Sequence, residues 1–142
     1  MPNKTYGKFS TDKCSSREFT FVFHREFNSR CNADCIYFSI YQEGVCEVIE
    51  RPFSYILKVM DNGIDLKVID LCANKYAGCG ISRYIILRSK ELFGKRIISS
   101  SNRFPSFLGE SNWEDAINKV WIPLVKEGNA IYDHEFDYYY LL

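Results

Sequence analysis

Two glycines stand one residue apart in the stretch KYAGCGIS, residues 75–82, where a strand-like pattern gives way to a helix-like one. The first turn of a helix leaves backbone N–H groups unpaired, and the helix dipole favours negative charge there. Gly78 and Gly80 carry no side chain that would hold an anion away from the backbone. Ser82 adds a hydroxyl and Lys75 a positive charge. The pattern predicts a phosphate-binding turn, and the alternative is a sharp turn that binds nothing.

Two common nucleotide-binding motifs do not match this turn. A Walker loop requires Gly-Lys-Ser/Thr after its second glycine, whereas Gly80 is followed by Ile81 and Ser82, so that motif is excluded. A Rossmann fingerprint requires a third glycine and an acidic residue at the end of the next strand. Position 83 holds Arg83, and the next predicted strand ends in serines, which argues against this second motif.

Six cysteines and two histidines are the residues that could bind a metal ion or form disulfides. Cys31 and Cys35 are too far apart for a CxxC knuckle, and the two histidines, His24 and His134, lack paired-ligand spacing. We therefore expect no metal site and, with a sizeable core predicted, no need for a disulfide framework. Cys72 and Cys79 have no histidine nearby in sequence to activate them as nucleophiles, so we expect small buried or turn residues at both positions.

Strand patterns dominate the first half of the chain. Residues 19–24 and 36–42 are rich in aromatic and β-branched side chains, which predicts two strands. The polar stretch 25–35 between them is expected to be irregular, with at most one short helical turn. After residue 42, the letters QEG followed by VCEVIE predict a hairpin into a short third strand.

A second hairpin is predicted from residue 53 to residue 71. The runs FSYILKVM (53–60) and IDLKVIDL (64–71) are joined by Asn62-Gly63, a pair that readily adopts the positive φ angles of a tight turn. Apolar residues change from one face to the other along 64–71. This change predicts either burial of both faces or a β-bulge, and the pattern does not decide between them.

Residues 80–101 predict a helix followed by a strand. From Gly80 the apolar residues recur every three or four positions, and Gly94 stands where a helix C-terminus favours glycine, so a helix of about thirteen residues is predicted. Residues 95–101 have the composition of a strand. The order strand, glycine turn, helix and strand indicates a βαβ unit with a parallel pair of strands.

The remaining residues predict a loop, a second helix and a final strand or narrow hairpin. After the loop 102–110, the spacing of Ser111 and Glu114 is that of a capping box. The helix carries an apolar stripe, which comprises Trp113, Ala116, Ile117, Val120, Trp121 and Leu124. Pro123 is expected to kink it or end its regular part early, and Gly128 to stop it.

With these elements in place, the chain resembles the GCN5-related N-acetyltransferases. The acyl-CoA loop of that family reads Gln/Arg-x-x-Gly-x-Gly/Ala, follows a strand that usually carries a bulge and precedes a long helix. KYAGCGIS (75–82) matches it with lysine in the first place. Ile98 and Asn102 match the family's Val-x-x-x-Asn at the end of the next strand, and LVKEGNAIY (124–132) is similar to the turn before its final strands. The resemblance covers about residues 53–142.

This resemblance implies an α/β (α+β) fold with a central mixed, mostly antiparallel sheet, a βαβ acyl-CoA-binding unit and flanking helices. It also implies a V-shaped opening between the strand before the glycine loop and the strand of Ile98. The strand edge at Leu71, Cys72 and Ala73 would pair with the pantetheine arm of acetyl-CoA. The other cofactor-binding residues implied are Lys75, Ala77, Gly78, Cys79, Gly80, Ile81, Ser82 and Asn102.

The reaction implied is direct attack of an amine on the acetyl thioester, in which a base removes the amine proton and an acid protonates the thiolate. Asp70 is the candidate base, because it lies next to the predicted bulge. Asp65 and Glu47 stand behind it as candidates. A surface carboxylate is the alternative for each of the three, and we favour that alternative for Asp65.

The general acid is less clear, because Trp121 and Leu124 occupy the places that match the family's helix-borne tyrosine. Tyr132 is the first candidate for a hydroxyl donor, and one of Tyr138 to Tyr140 is the second. Packing within an aromatic tail is the alternative for all of them.

Composition limits the partners. The chain has 142 residues, 46% of them hydrophobic, which suffices for one core. Eighteen basic residues balance eighteen acidic ones, so no overall field attracts nucleic acid or an anionic membrane. The N-terminus lacks a signal-peptide pattern and no apolar run has membrane-spanning length. We expect one cytoplasmic domain over 1–142 with a polar leader at 1–17, and neither a nucleic-acid nor a membrane partner.

The sequence therefore predicts an acetyl-CoA-dependent N-acyltransferase that acts on an amine. The short stretch 25–35 leaves little room for the helices that form the acceptor wall in the family, and such an open face would suit a protein lysine slightly better than a small amine. A second hypothesis is a protein that keeps the fold but has lost turnover and acts as an acetyl-CoA-binding or protein-interaction module. A third is a small α/β domain whose glycine turn binds nothing.

Overall fold

Eight strands form one sheet in the computed structural model, which describes residues 5–42, 53–72 and 79–142. The order across the sheet is β1-β2-β3-β4-β5-β6-β8-β7. Neighbouring strands are antiparallel except β5 and β6, which are parallel, so the fold is mixed α+β with a mostly antiparallel sheet. The strands are β1 (Thr5–Phe9), β2 (Phe19–Asn28), β3 (Ala33–Gln42), β4 (Phe53–Val59), β5 (Asp65–Cys72), β6 (Arg96–Ile98), β7 (Ala130–Asp133) and β8 (Tyr138–Leu141).

The first hairpin is longer than the sequence predicts. β2 and β3 remain paired as far as Asn28 and Ala33, so the expectation that residues 25–35 are irregular is wrong. The polar residues belong to a solvent-exposed hairpin end, where Arg25 pairs with Asp34 across the strands at 2.9 Å. Polar composition on both faces hid a strand pattern that normally shows as alternation.

The polar leader also contributes to the sheet. Its residues Thr5–Phe9 form β1, which pairs with the first half of β2, and Asp12–Cys14 form a single 3₁₀ turn. The predicted short strand VCEVIE lies outside the described residues, as does Glu47.

The hairpin of β4 and β5 confirms the second predicted hairpin, and it shows both burial of the two faces, over Asp65 to Val68, and a bulge after them. Ile56 faces Asp70 and Leu57 faces Val68, so Ile69 is an extra residue on β5. This is a β-bulge, which reverses the face that each later side chain of β5 occupies.

One face of the sheet, here called the helix face, packs against α1 (Ile81–Phe93). The predicted thirteen-residue helix is confirmed, and it lies between Gly80 and Gly94, both with positive φ. Ile85 and Ile86 are buried in the core, and Ser89 Oγ lies 3.0 Å from the hydroxyl of Tyr55 on β4.

The second helical segment, residues 114–126, also packs on the helix face but begins differently from the prediction. The segment begins at Glu114, and no side chain caps it, so the predicted capping box is wrong. Trp113, the predicted start of the apolar stripe, is 75% exposed, so that part of the stripe is wrong as well. Trp121 and Leu124 are buried as predicted. The segment consists of α2 (Glu114–Ala116), a π-helical turn (Ile117–Trp121) and α3 (Ile122–Lys126).

The π-helical turn accounts for the predicted disturbance at Pro123. A proline lacks an N–H donor and its ring collides with the carbonyl four residues earlier. A wider turn immediately before it removes that collision, so the helix continues to Lys126. β6 is shorter than the predicted strand 95–101, and the predicted terminal hairpin is formed by β7 and β8.

The opposite face of the sheet, here called the loop face, is covered by the loop of residues 99–113. Glu110 holds this loop, and its side chain has no exposed surface. The carboxylate accepts hydrogen bonds from Lys67 Nζ at 3.2 Å, from the N–H of Ser101 at 2.8 Å, and from the N–H and hydroxyl of Ser106 at 2.8 and 2.6 Å. Burial raises the pKa of Glu110, but these bonds and the Lys67 charge together lower it below its usual value.

Replacing Glu110 with glutamine should destabilise the fold, because Lys67, which is 4% exposed, would keep a buried charge without its counter-ion. We expect the free energy of unfolding in urea to fall by roughly 3 kcal/mol. The matched control is Glu91→Gln, which removes an exposed pair with Arg88 and should cost less than about 0.5 kcal/mol.

The difference in unfolding free energy between the native protein and Glu110→Gln should depend on pH. Because the folded pKa of Glu110 lies below its unfolded value, its contribution is present above about pH 4.5 and is lost as the pH falls through the folded pKa. The stability difference between the native protein and Glu110→Gln should therefore shrink in acid. A difference that stays constant down to the acid transition would contradict this account of Glu110.

Candidate functional site

The parallel strands β5 and β6 diverge after a short paired stretch. They pair only from Asp65 and Arg96 to Lys67 and Ile98. The chain beyond Ile98 then turns towards β8, where the N–H of Ser99 donates to the carbonyl of Tyr139 at 2.8 Å. β5 stays paired with β4 past its bulge to Cys72, and a cavity of about 470 Å³ lies between this part of β5 and the chain that follows β6.

Five segments of the described chain line this cavity. The end of β5 supplies one wall from Val68 to Cys72, and the loop 99–113 supplies another that includes Phe107. The end of the β2–β3 hairpin, Ile56 of β4 and the second helical segment supply the other lining residues. Because β5 opens away from β6, the cavity borders residues of both the helix face and the loop face.

Asp70 lines the cavity on the loop face. Its Oδ2 accepts a hydrogen bond from the hydroxyl of Ser54 at 2.9 Å, and Ser54 stands on the side of β4 opposite Tyr55, which contacts α1. The bulge at Ile69 sets this orientation, and Asp70 lies next to the bulge as the sequence predicts. The carboxylate is half-buried and forms no ion pair within the described residues.

Arg30, at the tip of the β2–β3 hairpin, is the second charged residue on the cavity wall. The side-chain oxygen of Asn28 accepts the N–H of Arg30 at 2.9 Å and that of Cys31 at 3.3 Å, which fixes the turn. The guanidinium lies 6.0 Å from the centre of the Phe107 ring. Sequence reasoning missed this residue, because nothing near Arg30 in the chain indicates the loop that it meets.

Gly109 makes room for that guanidinium. Its φ of +93° is one that residues with side chains rarely adopt, and a Cβ built there would lie 2.8 Å from Arg30 Nη2. The hairpin tip and the loop 99–113 are therefore fitted to each other at the cavity wall.

The predicted cofactor-binding residues other than Asn102 fall into three groups. Leu71 and Cys72 line the cavity at the end of β5. Cys79, Gly80, Ile81 and Ser82 lie at the start of α1. The residues outside the described part of the chain are Ala73, Lys75, Ala77 and Gly78.

The start of α1 is flanked by the leader, a contact that the sequence did not predict. The hydroxyl of Thr11 donates to the carbonyl of Cys79 at 2.5 Å, and Arg17 Nη1 donates to the Cys79 sulfur at 3.7 Å. Lys13 lies beside Gly80. The side chain of Ile81 packs in the core, because the residue is only 1% exposed. A ligand at the start of α1 would therefore contact the backbone of Ile81.

Tyr132 and Asn102 belong to a separate cavity of about 110 Å³. The hydroxyl of Tyr132 donates to Asp137 Oδ1 at 2.5 Å, and this bond, together with burial, raises the pKa of Tyr132. Asn102 exchanges two hydrogen bonds with the backbone of Asn112, at 3.0 and 2.7 Å. The structure therefore does not bring Tyr132 together with Asp70 in one cavity, although Asn112 lines both cavities.

Asp65 is not the surface carboxylate that we expected. It is 4% exposed and forms a two-pronged ion pair with Arg96, at 2.7 and 3.0 Å. Burial raises the pKa of Asp65, but Arg96, Asn62 and Lys67 together lower it. Arg96 in turn lies over the rings of Tyr138 and Tyr140, which supports packing as the role of these tail tyrosines.

Five cysteines in the described part of the chain are free: Cys14, Cys31, Cys35, Cys72 and Cys79. The expectation of a small buried or turn residue holds for Cys79, which is buried, whereas Cys72 is exposed. Cys31 and Cys35 have their sulfurs 3.4 Å apart, and burial is the main reason that the pKa of Cys35 rises to about 12. Residues 5–42, 53–72 and 79–142 contain no group of three or more histidine, cysteine or acidic residues that could hold a metal ion.

Comparison with protein-family models, curated proteins and solved structures gave no match. Within the described ranges, no helix is both long enough and apolar enough to cross a membrane. The cavity between β5 and β6 and the start of α1 are thus the features from which a function can be inferred.

Asp137 should stabilise the loop that separates the two cavities. Its carboxylate accepts hydrogen bonds from the N–H groups of Asn102 and Arg103 and from two hydroxyls. Asp137→Asn keeps a residue that tolerates the local φ of +55° but weakens these bonds, so we expect a loss of about 1–2 kcal/mol in unfolding free energy. Hydrogen exchange at the amides of residues 102 and 103 should accelerate. The control, Asp115→Asn at an 84% exposed side chain, should leave both measurements unchanged.

Proposed function

We propose that the protein is an acetyl-CoA-dependent N-acyltransferase with a GCN5-related fold, in which an amine attacks the acetyl thioester directly. The observation that carries this proposal is the parting of the parallel strands β5 and β6 beyond Lys67, with a 470 Å³ cavity in the gap. A gap at the carboxyl ends of adjacent parallel strands is a common place for a ligand in α/β sheets.

The free edge of β5 supports binding of the pantetheine arm. After Lys67, β5 has no pairing with β6, while its other edge remains paired with β4 as far as Cys72. Backbone groups at Leu71 on the open side can therefore pair with the amides of an extended ligand, as a peptide adds to the edge of a sheet.

The start of α1 supports binding of the pyrophosphate. The first hydrogen bond into the helix runs from the N–H of Tyr84 to the carbonyl of Gly80, and no side chain caps the helix. The N–H groups of residues 81–83 therefore have no acceptor within the helix. Lys13 and Arg17 add positive charge beside them.

Asp70 is the residue that we assign as general base. Asp70 faces the loop side of the cavity, next to the bulge. An amine bound at Asp70 would therefore have this carboxylate on one side and a thioester held along β5 on the other. The arrangement supports Asp70 in this role better than it supports Tyr132 as general acid, because the Tyr132 hydroxyl donates to Asp137 and lines the other cavity.

A second candidate function is an acetyl-CoA-binding module without turnover. It is favoured by the composition of the cavity wall, which contains no tyrosine among the described residues and has Trp121 instead, stacked on Tyr139 at 5.9 Å. Cofactor binding without loss of the thioester, for every amine tried, would favour this candidate.

Isothermal titration with acetyl-CoA, CoA and ADP tests the cofactor site. We expect micromolar binding that requires the pantetheine arm, and we expect Gly80→Trp to abolish it, because the indole would cover the N–H groups at the start of α1. The matched control is Gly94→Trp at the other end of the same helix, where φ is also positive and nothing lies within 4 Å of an added Cβ. No detectable binding of acetyl-CoA, CoA or ADP would contradict the proposal.

Replacement of Asp70 by asparagine tests the assigned base. Acetyl transfer to an amine should fall about 10²- to 10⁴-fold, since the base that removes the proton is lost, whereas the dissociation constant for acetyl-CoA should change little. Ser54→Ala, which removes the hydrogen bond to Asp70 but keeps the carboxylate, should have a much smaller effect. Equal rates for the native protein and Asp70→Asn would rule out Asp70 as the base.

A further inference from the structure

Two opposite charges face the large cavity without pairing. Among the described residues that line it, Arg30 and Asp70 are the charged ones. In the described part of the chain neither forms an ion pair: Asp70 accepts a hydrogen bond from Ser54, and Arg30 lies against Phe107. Nor do the two pair with each other. Charged groups held apart in this way at one cavity are complementary to a ligand that carries both signs.

The position of Arg30 depends on several independent contacts. Asn28 fixes the hairpin turn through the N–H of Arg30, and the missing side chain of Gly109 leaves space for the guanidinium. The Phe107 ring lies beneath it. The φ of +93° at Gly109 belongs to the turn that the Glu110 N–H closes on the carbonyl of Phe107, and the guanidinium occupies the space that this turn leaves at the cavity wall.

The rest of the wall is suited to a small organic molecule. Ile56, Phe107 and Ala116 contribute apolar surface to the cavity, and its volume of about 470 Å³ lies within the range of small-molecule sites. The loop 99–113 and the hairpin tip both line the cavity.

We propose that the acceptor is a small primary amine that also carries a carboxylate, with its amine at Asp70 and its carboxylate at Arg30. The reaction rests on the proposed function, but the binding does not, since both charges face the cavity whatever chemistry follows. The ammonium gives one proton to Asp70, and the amine nitrogen then bonds to the acetyl carbon while the C–S bond breaks. The second proton of the nitrogen passes to the departing thiolate, so the products are an N-acetylated amino acid and CoA.

The test is a titration of the full chain, in the absence of acetyl-CoA, with ligands that carry both charges or only one. The probes are L-phenylalanine beside phenethylamine and 3-phenylpropionate, and Nα-acetyl-L-lysine beside its methylamide. We expect at least one of the two amino acids to bind about tenfold more tightly than its single-charge analogues. The two arms distinguish an α-amine from an ε-amine.

The variants assign each charge. Arg30→Gln should weaken the amino acid about tenfold while leaving phenethylamine binding unchanged, and Asp70→Asn should weaken the amino acid but not 3-phenylpropionate. The control is Arg25→Gln on the same hairpin, whose guanidinium is already paired with Asp34. Unchanged circular dichroism of each variant shows that the fold is kept.

The outcomes separate this inference from the proposed function. No binding of either amino acid, or equal affinity of the native protein and Arg30→Gln for them, overturns the inference even if acetyl-CoA binds and simple amines are acetylated. Amino acid binding that needs both Arg30 and Asp70 supports the inference even if acetyl-CoA does not bind.

Discussion

The buried carboxylate of Glu110 is the constraint on which the geometry of the site depends. The loop 99–113 has no regular secondary structure, yet it carries Phe107 and Gly109 into the cavity wall. Glu110 joins both ends of this loop to the sheet through Lys67, Ser101 and Ser106. A buried ion pair contributes little net stability compared with apolar packing of the same volume. Its value here lies in fixing one loop conformation, because a satisfied buried network tolerates few alternatives.

Contacts on the helix face fix the position of α1 relative to the sheet. Aromatic rings connect the sheet to α1 along its length: Phe9 stacks on Tyr84 at 4.0 Å, and Phe93 meets the ring of Phe23 at 5.3 Å. Between them, the hydroxyls of Tyr55 and Ser89 satisfy each other within the core. The start of α1 is thereby held at a fixed distance from the sheet, as the proposed acetyl-CoA site would require.

The elements that the sequence predicts well are those whose signals are local. The helix from Ile81 to Phe93 has its periodicity and both glycines within fifteen residues, and the hairpin of β4 and β5 has its turn residues and the phase change at its bulge. The position of Asp70 beside the bulge could be predicted for the same reason, because the bulge lies next to it in the chain.

The features that the sequence did not predict depend on partners far away in the chain. Asp65 looked like a surface residue because Arg96 is 31 positions later. The hairpin end of β2 and β3 lacks an apolar alternation because its exposed residues are mostly polar and the side chains buried there include Cys31 and Cys35. The capping box failed because the helix begins at Glu114, with Trp113 at its N-cap. The cofactor loop itself, from Ala73 to Gly78, lies outside the described residues.

Arg30 shows why such long-range features deserve a functional interpretation. The side chain of Arg30 is exposed, and it forms no ion pair within the described residues. Asn28 shapes the turn below it, Gly109 leaves it space, and Asp70, the one carboxylate among the described residues of the cavity wall, accepts a hydrogen bond from Ser54 instead. Charged side chains that share a cavity without pairing are where we look first for a ligand. The separated charges of Arg30 and Asp70 therefore indicate the chemistry of a ligand rather than a device for stability.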